Sequence, residues 1–363
     1  MQAKNPQPII ATDETLVRPV AVIDVGTTLI RMAIAEIDQD GNVRILERLS
    51  QVVNLGKDTF TRGSIRKSTI EDCVRVLKSY RQLLREYQIE DPEQIRVVAT
   101  SAVREAQNKF AFLDRIYIAT GIEVEPIDEA EVNRITYLGI EPFLKSSTEL
   151  YEAKSIVVEV GGGSTELLMV HQGDVVYSHV YRLGSLRLRE TLETYRAPQL
   201  QARNIMANQI QRTVDQICQH VPESGPMELV ALGGDIRFAA SEILPDWSPT
   251  QLGKMSIDDL EEFTESVLVL SEDDLVQKYR LSFTDAESLA PALLAYVTLA
   301  KSLGLQHILV STVNLRDGLL QDMADQGAWT EDFSNQIVRS AVDLGKKFQV
   351  DEPHALHVAE LSK

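Results

Sequence analysis

Two stretches far apart in this 363-residue chain follow one plan. VAVIDVG, residues 20–26, is an apolar run that carries one acid, Asp24, and ends on glycine; SIVVEVG, residues 155–161, does the same with Glu159. A short polar turn and a second apolar run follow each: Thr27 and Thr28 lead into IRMAIAEI (30–37), and Gly162, Gly163 and Ser164 lead into TELLMV (165–170). A glycine-containing turn and a third run come next in both copies. Apolar runs of this length bounded by turn residues read as strands. The element order repeats after about 135 residues, which predicts an α/β chain built from two copies of one unit.

The remaining segments fill in both copies. Residues 68–87 have helical apolar spacing with Ser68 as the N-cap, 95–100 read as a strand, 101–120 as mostly helix, 121–127 as a strand and 129–144 as a helix. The second copy continues with two helices over 185–219, a strand at 227–234, a helix opened by Asp235, an acidic helical insert, a helix at 284–303, a strand at 307–311 and a helix at 313–324. The resulting division is a disordered arm at 1–17, a first domain at 18–141, a second at 142–328 and a helical segment at 329–363.

Two similar lobes leave a cleft between them, and such clefts are preferred ligand sites. The hairpin turns are expected to face each other across it. Gly161, Gly162 and Gly163 let main-chain N–H groups come close to a phosphate because no Cβ stands in the way. Ser164 and Thr165 add hydroxyl donors, and Glu159 and Glu166 flank them. The turn is not a Walker A loop, since no Gly-Lys-Ser/Thr follows, and no G-x-G-x-x-G opens a helix here.

Composition narrows the partners. A formal net charge of −18 argues against general binding to DNA or RNA. Residues 255–275 hold eight acids and no base and read as a solvated face. Residues 41–70 carry Arg44, Arg48, Lys57, Arg62, Arg66 and Lys67 against Glu47 and Asp58, which hints at an anionic ligand. No apolar run approaches 18 residues, so no membrane span is expected. The N-terminus lacks the basic start and apolar core of a secretory signal. Cys73 and Cys218 read as buried small hydrophobes in a reducing, cytoplasmic setting. His354 and His357 have no partner cluster that would make a metal site.

Several stretches together resemble one family. VVEVGGGSTELL resembles the D-I-G-G-G-S-T-E signature of the Ppx/GppA exopolyphosphatase and guanosine-pentaphosphate phosphohydrolase family. AVIDVGTT is similar to its D-x-G-S-N turn, VVATSAVREAQN to its A-T-S-A-x-R-x-A-x-N segment and YRLGSLRLRE to its L-G-x-x-R-L-T-E segment. ALGGDIRF is similar to its G-G-T-x-R segment and STVNLRDGLL to its G-L-R-x-G-L-L segment. The resemblance implies a duplicated actin-like (ribonuclease H-like, sugar-kinase/Hsp70-type) two-lobe fold with an interlobe cleft. It also implies removal of the terminal phosphate of polyphosphate or guanosine pentaphosphate with Mg²⁺. The last stretch resembles the start of the helical HD-type domain of longer members, with a native short C-terminal helix as the alternative.

Carried over residue by residue, the resemblance assigns phosphate binding to Gly161, Gly162, Gly163, Ser164, Thr165, Thr27, Thr28, Arg104, Gly233 and Gly234. It assigns the metal to Asp24, Glu159 and Glu166, and catalysis to Glu131, Glu159 and Glu166. A homodimer is one assembly to consider. The departures matter as much. Val132 stands where the family has its catalytic glutamate, so Glu131 or, less readily, Glu129 would have to activate water. Glu159 replaces an aspartate. Thr27 and Thr28 replace Ser-Asn. Asp235 replaces a threonine and reads as a helix N-cap. Three functions follow: a phosphohydrolase, a catalytically impaired binder or sensor of polyphosphate or nucleotide, and a kinase of the same fold class, for which no sugar-site signature is found.

Overall fold

The computed structural model describes residues 17–194, 199–221, 225–248, 250–325 and 351–361. The arm expected at 1–17 lies outside the described residues except for Val17. Of the segment expected to begin an HD-type domain, the described part is 351–361.

The first lobe is built on β1 (Arg18–Val25), β2 (Leu29–Ile37), β3 (Val43–Val52), β4 (Ile95–Ala99) and β5 (Glu125–Pro126), in the order β3-β2-β1-β4-β5. The second is built on β6 (Lys154–Val160), β7 (Thr165–His171), β8 (Asp174–Tyr181), β9 (Met227–Leu232), β10 (Gly253–Ser256) and β11 (His307–Val310), in the order β10-β11-β9-β6-β7-β8. Read from β8, the second sheet repeats the order of the first and adds β10 at its edge. In both, the first two strands form an antiparallel hairpin and the first and fourth run parallel. The expected duplicated α/β fold is therefore present, with helices on the sheet faces. β10 is a strand that the acidic-insert reading missed.

The helices are α1 (Leu55–Arg62), α2 (Lys67–Glu86), α3 (Ser101–Arg104), α4 (Lys109–Thr120), α5 (Glu129–Ser146), α6 (Thr148–Glu152), α7 (Ser185–Thr194), α8 (Gln199–Cys218), α9 (Gly234–Ile243), α10 (Ile257–Leu268), α11 (Glu272–Tyr279), α12 (Phe283–Ser302), α13 (Leu315–Ala324) and α14 (Glu352–Leu361). Two start signals were misread. α2 begins at Lys67 with Arg66 as N-cap, so Ser68 lies inside it. α9 is capped by Gly233, so Asp235 is not the cap but an acid in the first turn.

α5 links the lobes. Its Val132 and Ile135 pack with Val20, Val22, Leu319 and Leu320. Two turns later, Ile140 and Leu144 pack with Val157, Leu168 and Val230 of the second sheet. α13, from the end of the second copy, returns to cover the first sheet beside α5. The two helices cross where Gly139 meets Gly318, and a Cβ on Gly318 would collide with the Ile135 carbonyl. Cys73 is buried, which pushes its thiol up to about 12, and Cys218 is partly buried; both are free. Among the described residues no helix is long and apolar enough to cross a membrane.

Candidate active site

The two hairpin turns are built alike. Gly26 N–H donates to the Leu29 carbonyl at 3.0 Å, and Gly161 N–H donates to the Ser164 carbonyl at 2.8 Å. In each copy the segment after the third strand binds turn carbonyls. Thr27 and Thr28 carbonyls accept from Gly56 and Val53 N–H, each at 2.8 Å. Gly161 and Gly162 carbonyls accept from Ser185 N–H at 2.9 Å and Arg187 N–H at 3.0 Å, and the Gly163 carbonyl accepts from Arg187 Nε at 2.7 Å. With the carbonyls tied back, the amides of Gly162 and Gly163 meet no acceptor among the described residues. Successive free amides of this kind form an anion-binding concavity.

The turns touch. A Cβ on Gly162 would lie 3.2 Å from Thr27 Cγ2, and one on Gly163 would collide with Ser101 Oγ and sit 2.7 Å from the Phe60 ring. Glycine is required here by close approach of the two lobes.

A cavity of about 350 Å³ opens beside the turns. Asp24, Thr27, Thr28, Glu159, Gly161, Gly162, Gly163, Ser164, Glu166, Gly233 and Gly234 line it. Strand pairing places Glu166 directly opposite Glu159 in the β6–β7 hairpin. Burial, then the neighbouring Glu159 charge, pushes the Glu166 carboxyl up to about 7, against a hydrogen bond from Ser164 Oγ at 2.6 Å. Burial likewise raises Glu159. Asp235 also faces the cavity, accepts from Ser288 Oγ at 2.8 Å, and is raised to about 6 chiefly by burial.

Other expected site residues are held elsewhere. Glu131 is the main correction: it does not line the cavity, and its carboxylate accepts from Arg134 Nε and Nη2, each at 2.7 Å, and from Arg96 Nη2 at 2.9 Å. Burial alone would raise its carboxyl, but Arg134 and then Arg96 outweigh that and hold it below the ordinary value. Val132, one residue on, faces the cavity, as the roughly 100° step between helical neighbours requires. Glu129 is exposed, 3.9 Å from Arg104. Arg104 is absent from the cavity wall and donates to the Ile127 carbonyl at 3.0 Å. Thr165 Oγ1 donates to the Leu183 carbonyl at 2.5 Å, so its hydroxyl serves the fold rather than a ligand.

The three-carboxylate metal set is also not formed: among the described residues no group of three His, Cys, Asp or Glu side chains is placed to hold an ion together. Asp24 is flanked instead by Arg31 at 3.4 Å and Arg316 at 3.5 Å. These arginines were missed. The register would have located one of them, since Arg31 pairs with Asp24 across the β1–β2 hairpin.

The Ppx/GppA phosphatase family model matches residues 33–327. Exopolyphosphatase 2 of Mycobacterium tuberculosis is 26% identical over 321 residues, which is 84% of this chain and 98% of that protein. A bifunctional 3-dehydroquinate synthase/phosphatase of Fusobacterium nucleatum is 29% identical over 174 residues, 47% of this chain, and the match spans only 26% of that longer protein. Among solved structures, an exopolyphosphatase from Cytophaga hutchinsonii aligns with TM-score 0.76 at 21% identity, covering 85% of this chain and 98% of that one. The Aquifex aeolicus Ppx/GppA family member aligns with TM-score 0.69 at 23% identity, covering 87% and 100%. The duplicated actin-like fold, the paired hairpin turns and the family match over most of the chain agree, and the chain belongs to the Ppx/GppA phosphatase family.

Proposed function

We propose that the protein is a phosphohydrolase that removes the terminal phosphate of inorganic polyphosphate or of a guanosine pentaphosphate. One observation carries this reading: the Gly161–Ser164 turn offers unpartnered main-chain amides to the cavity beside Glu166, a carboxyl pushed up to about 7. Amides fixed by the fold stabilise developing oxyanion charge without reorganising. A base whose pKa lies near the working pH is the most effective proton acceptor. Similarity to the M. tuberculosis exopolyphosphatase supports polyphosphate as a substrate.

In this mechanism the turn amides and Thr27 hold the terminal phosphoryl group. Ser164 orients Glu166 through its hydrogen bond. Water attacks the terminal phosphorus as Glu166 takes its proton, and the bridging P–O bond breaks with its electron pair left on the shortened chain. Mg²⁺ fits the residues present in a limited way. Glu159 faces the cavity with no hydrogen bond or ion pair among the described residues, and Asp24 stands near it. Mg²⁺ is commonly bound by one or two carboxylates together with waters and substrate phosphates. Bound there it would neutralise phosphate charge, with Glu159 and Asp24 as its protein ligands.

A second reading, a phosphate-chain sensor that turns over little, is favoured by Val132 at the cavity wall and by Glu131 locked into its ion pairs. Phosphate release from polyphosphate and from guanosine pentaphosphate, with Mg²⁺, separates the two. The hydrolase reading expects turnover that falls about 10²- to 10⁴-fold in Glu166→Gln, the usual cost of losing a general base. Equal release by wild type and variant would end it.

A further inference from the structure

We propose that Arg187 is a positioning residue that makes the grip of the phosphate turn depend on closure of the cleft. The inference rests on the phosphate-binding part of the reading above, not on turnover. Arg187 lies in α7 of the second lobe and touches the turn twice: its N–H donates to the Gly162 carbonyl at 3.0 Å and its Nε to the Gly163 carbonyl at 2.7 Å. The other end of the same guanidinium reaches the first lobe. Nη2 donates to Glu105 Oε1 at 2.6 Å, and the guanidinium carbon lies 4.0 Å from the centroid of the Phe60 ring. The second oxygen of Glu105 accepts from Arg182 Nη2 at 2.7 Å, again from the second lobe. Glu105 thus has both oxygens engaged across the cleft.

One planar group therefore ties the Gly163 carbonyl to Glu105 and Phe60. Holding that carbonyl back turns the N–H of the same peptide unit, the Ser164 amide, the opposite way, toward the cavity. Opening the cleft would remove Glu105 and Phe60 together and leave the guanidinium anchored only at one edge. The neighbouring carbonyl is then free to rotate toward the ligand side. A lysine cannot substitute: it brings the charge but not the rigid fork that serves several acceptors at once. The pair is partly buried, with side chains 16% and 25% exposed, so it is less screened than a surface ion pair.

The test measures binding of tripolyphosphate with Mg²⁺ by calorimetry, together with lobe separation by small-angle scattering, in Glu105→Gln, Arg187→Lys and the double variant. Glu105→Gln is nearly isosteric and keeps the assay usable should the Arg187 variant fold poorly. Each single variant is expected to weaken binding about 5- to 50-fold, the usual size of a coupling between sites, and to shift scattering toward an open form. The double variant should be little worse than either single one. Wild-type affinity in Glu105→Gln or in Arg187→Lys overturns the proposal, and so do fully additive losses. A wild type that binds tripolyphosphate but releases no phosphate would sink the hydrolase reading alone; one that does not bind it would sink both.

Discussion

The Ser164 hydroxyl donates to Glu166 at 2.6 Å and opposes the burial and Glu159 charge that push this carboxyl up to about 7. A hydrogen bond to the ionised form lowers a pKa, so its removal raises it. Ser164→Ala should therefore move the acidic limb of the pH–rate profile upward. At neutral pH, phosphate release from tripolyphosphate should fall about tenfold, as fewer molecules carry a free base.

Val132→Glu places a carboxylate at the cavity wall, on the face of α5 that Glu131 does not occupy. The sensor reading expects a rise in phosphate release of about 10-fold or more, whereas the hydrolase reading, with Glu166 as the base, expects none; either way the stability cost is about 1–3 kcal/mol for introducing a charge at a buried position. The rate is read with Mg²⁺ and tripolyphosphate, and the cost by urea unfolding.

Asp322 accepts from Arg134 Nη1 at 2.6 Å and Nη2 at 2.9 Å and also pairs with Arg96, which in turn binds Glu131. Asp322→Ala leaves two arginines short of a buried partner and should destabilise by about 3–5 kcal/mol. Despite burial, the Asp322 and Glu131 carboxyls are held below their ordinary values of 3.8 and 4.5, chiefly by Arg134. Their contribution is therefore complete above those values and is lost as pH falls through the lower folded ones. Wild type should lose urea resistance as pH falls below the ordinary value of 4.5, and the variant less so, since its share is already gone.

Glu166 shifts stability in the opposite direction. Its folded carboxyl is raised from 4.5 to about 7, so folding favours the protonated form. Any stability gained from protonation is present below 4.5 and lost as pH rises through about 7. In the presence of a chelator, Glu166→Gln should raise the melting temperature at about pH 8 and not at about pH 4, with a gain on the order of 1–2 kcal/mol.

Much of this was legible in the chain. The VAVIDVG and SIVVEVG copies foretold two sheets of the same strand order, because alternating apolar runs and glycine turns are local signals. The Gly161–Ser164 turn was legible for the same reason. What failed was orientation. Whether Glu131 or Val132 faces the cavity depends on how α5 is rotated, and that is fixed by Ile135 and Leu320 packing and by Arg96 from another strand. Asp235 has the chemistry of a cap but sits two residues past Gly233, whose φ of 112° no side chain readily adopts. Arg31 was missed because hairpin register, not composition, brings it to Asp24.

The return of α13 to the first sheet carries a consequence for synthesis. Val20, Val22, Ala33 and Ala35 have one apolar face covered only in part, by Val132 and Ile135 of α5, until Leu319 and Leu320 have left the ribosome, long after their own strands have. The amino-terminal lobe cannot finish folding as an autonomous unit on the nascent chain. A ribosome stalled near residue 250 should display a protease-sensitive, chaperone-binding lobe, and the two halves should reach their native state together.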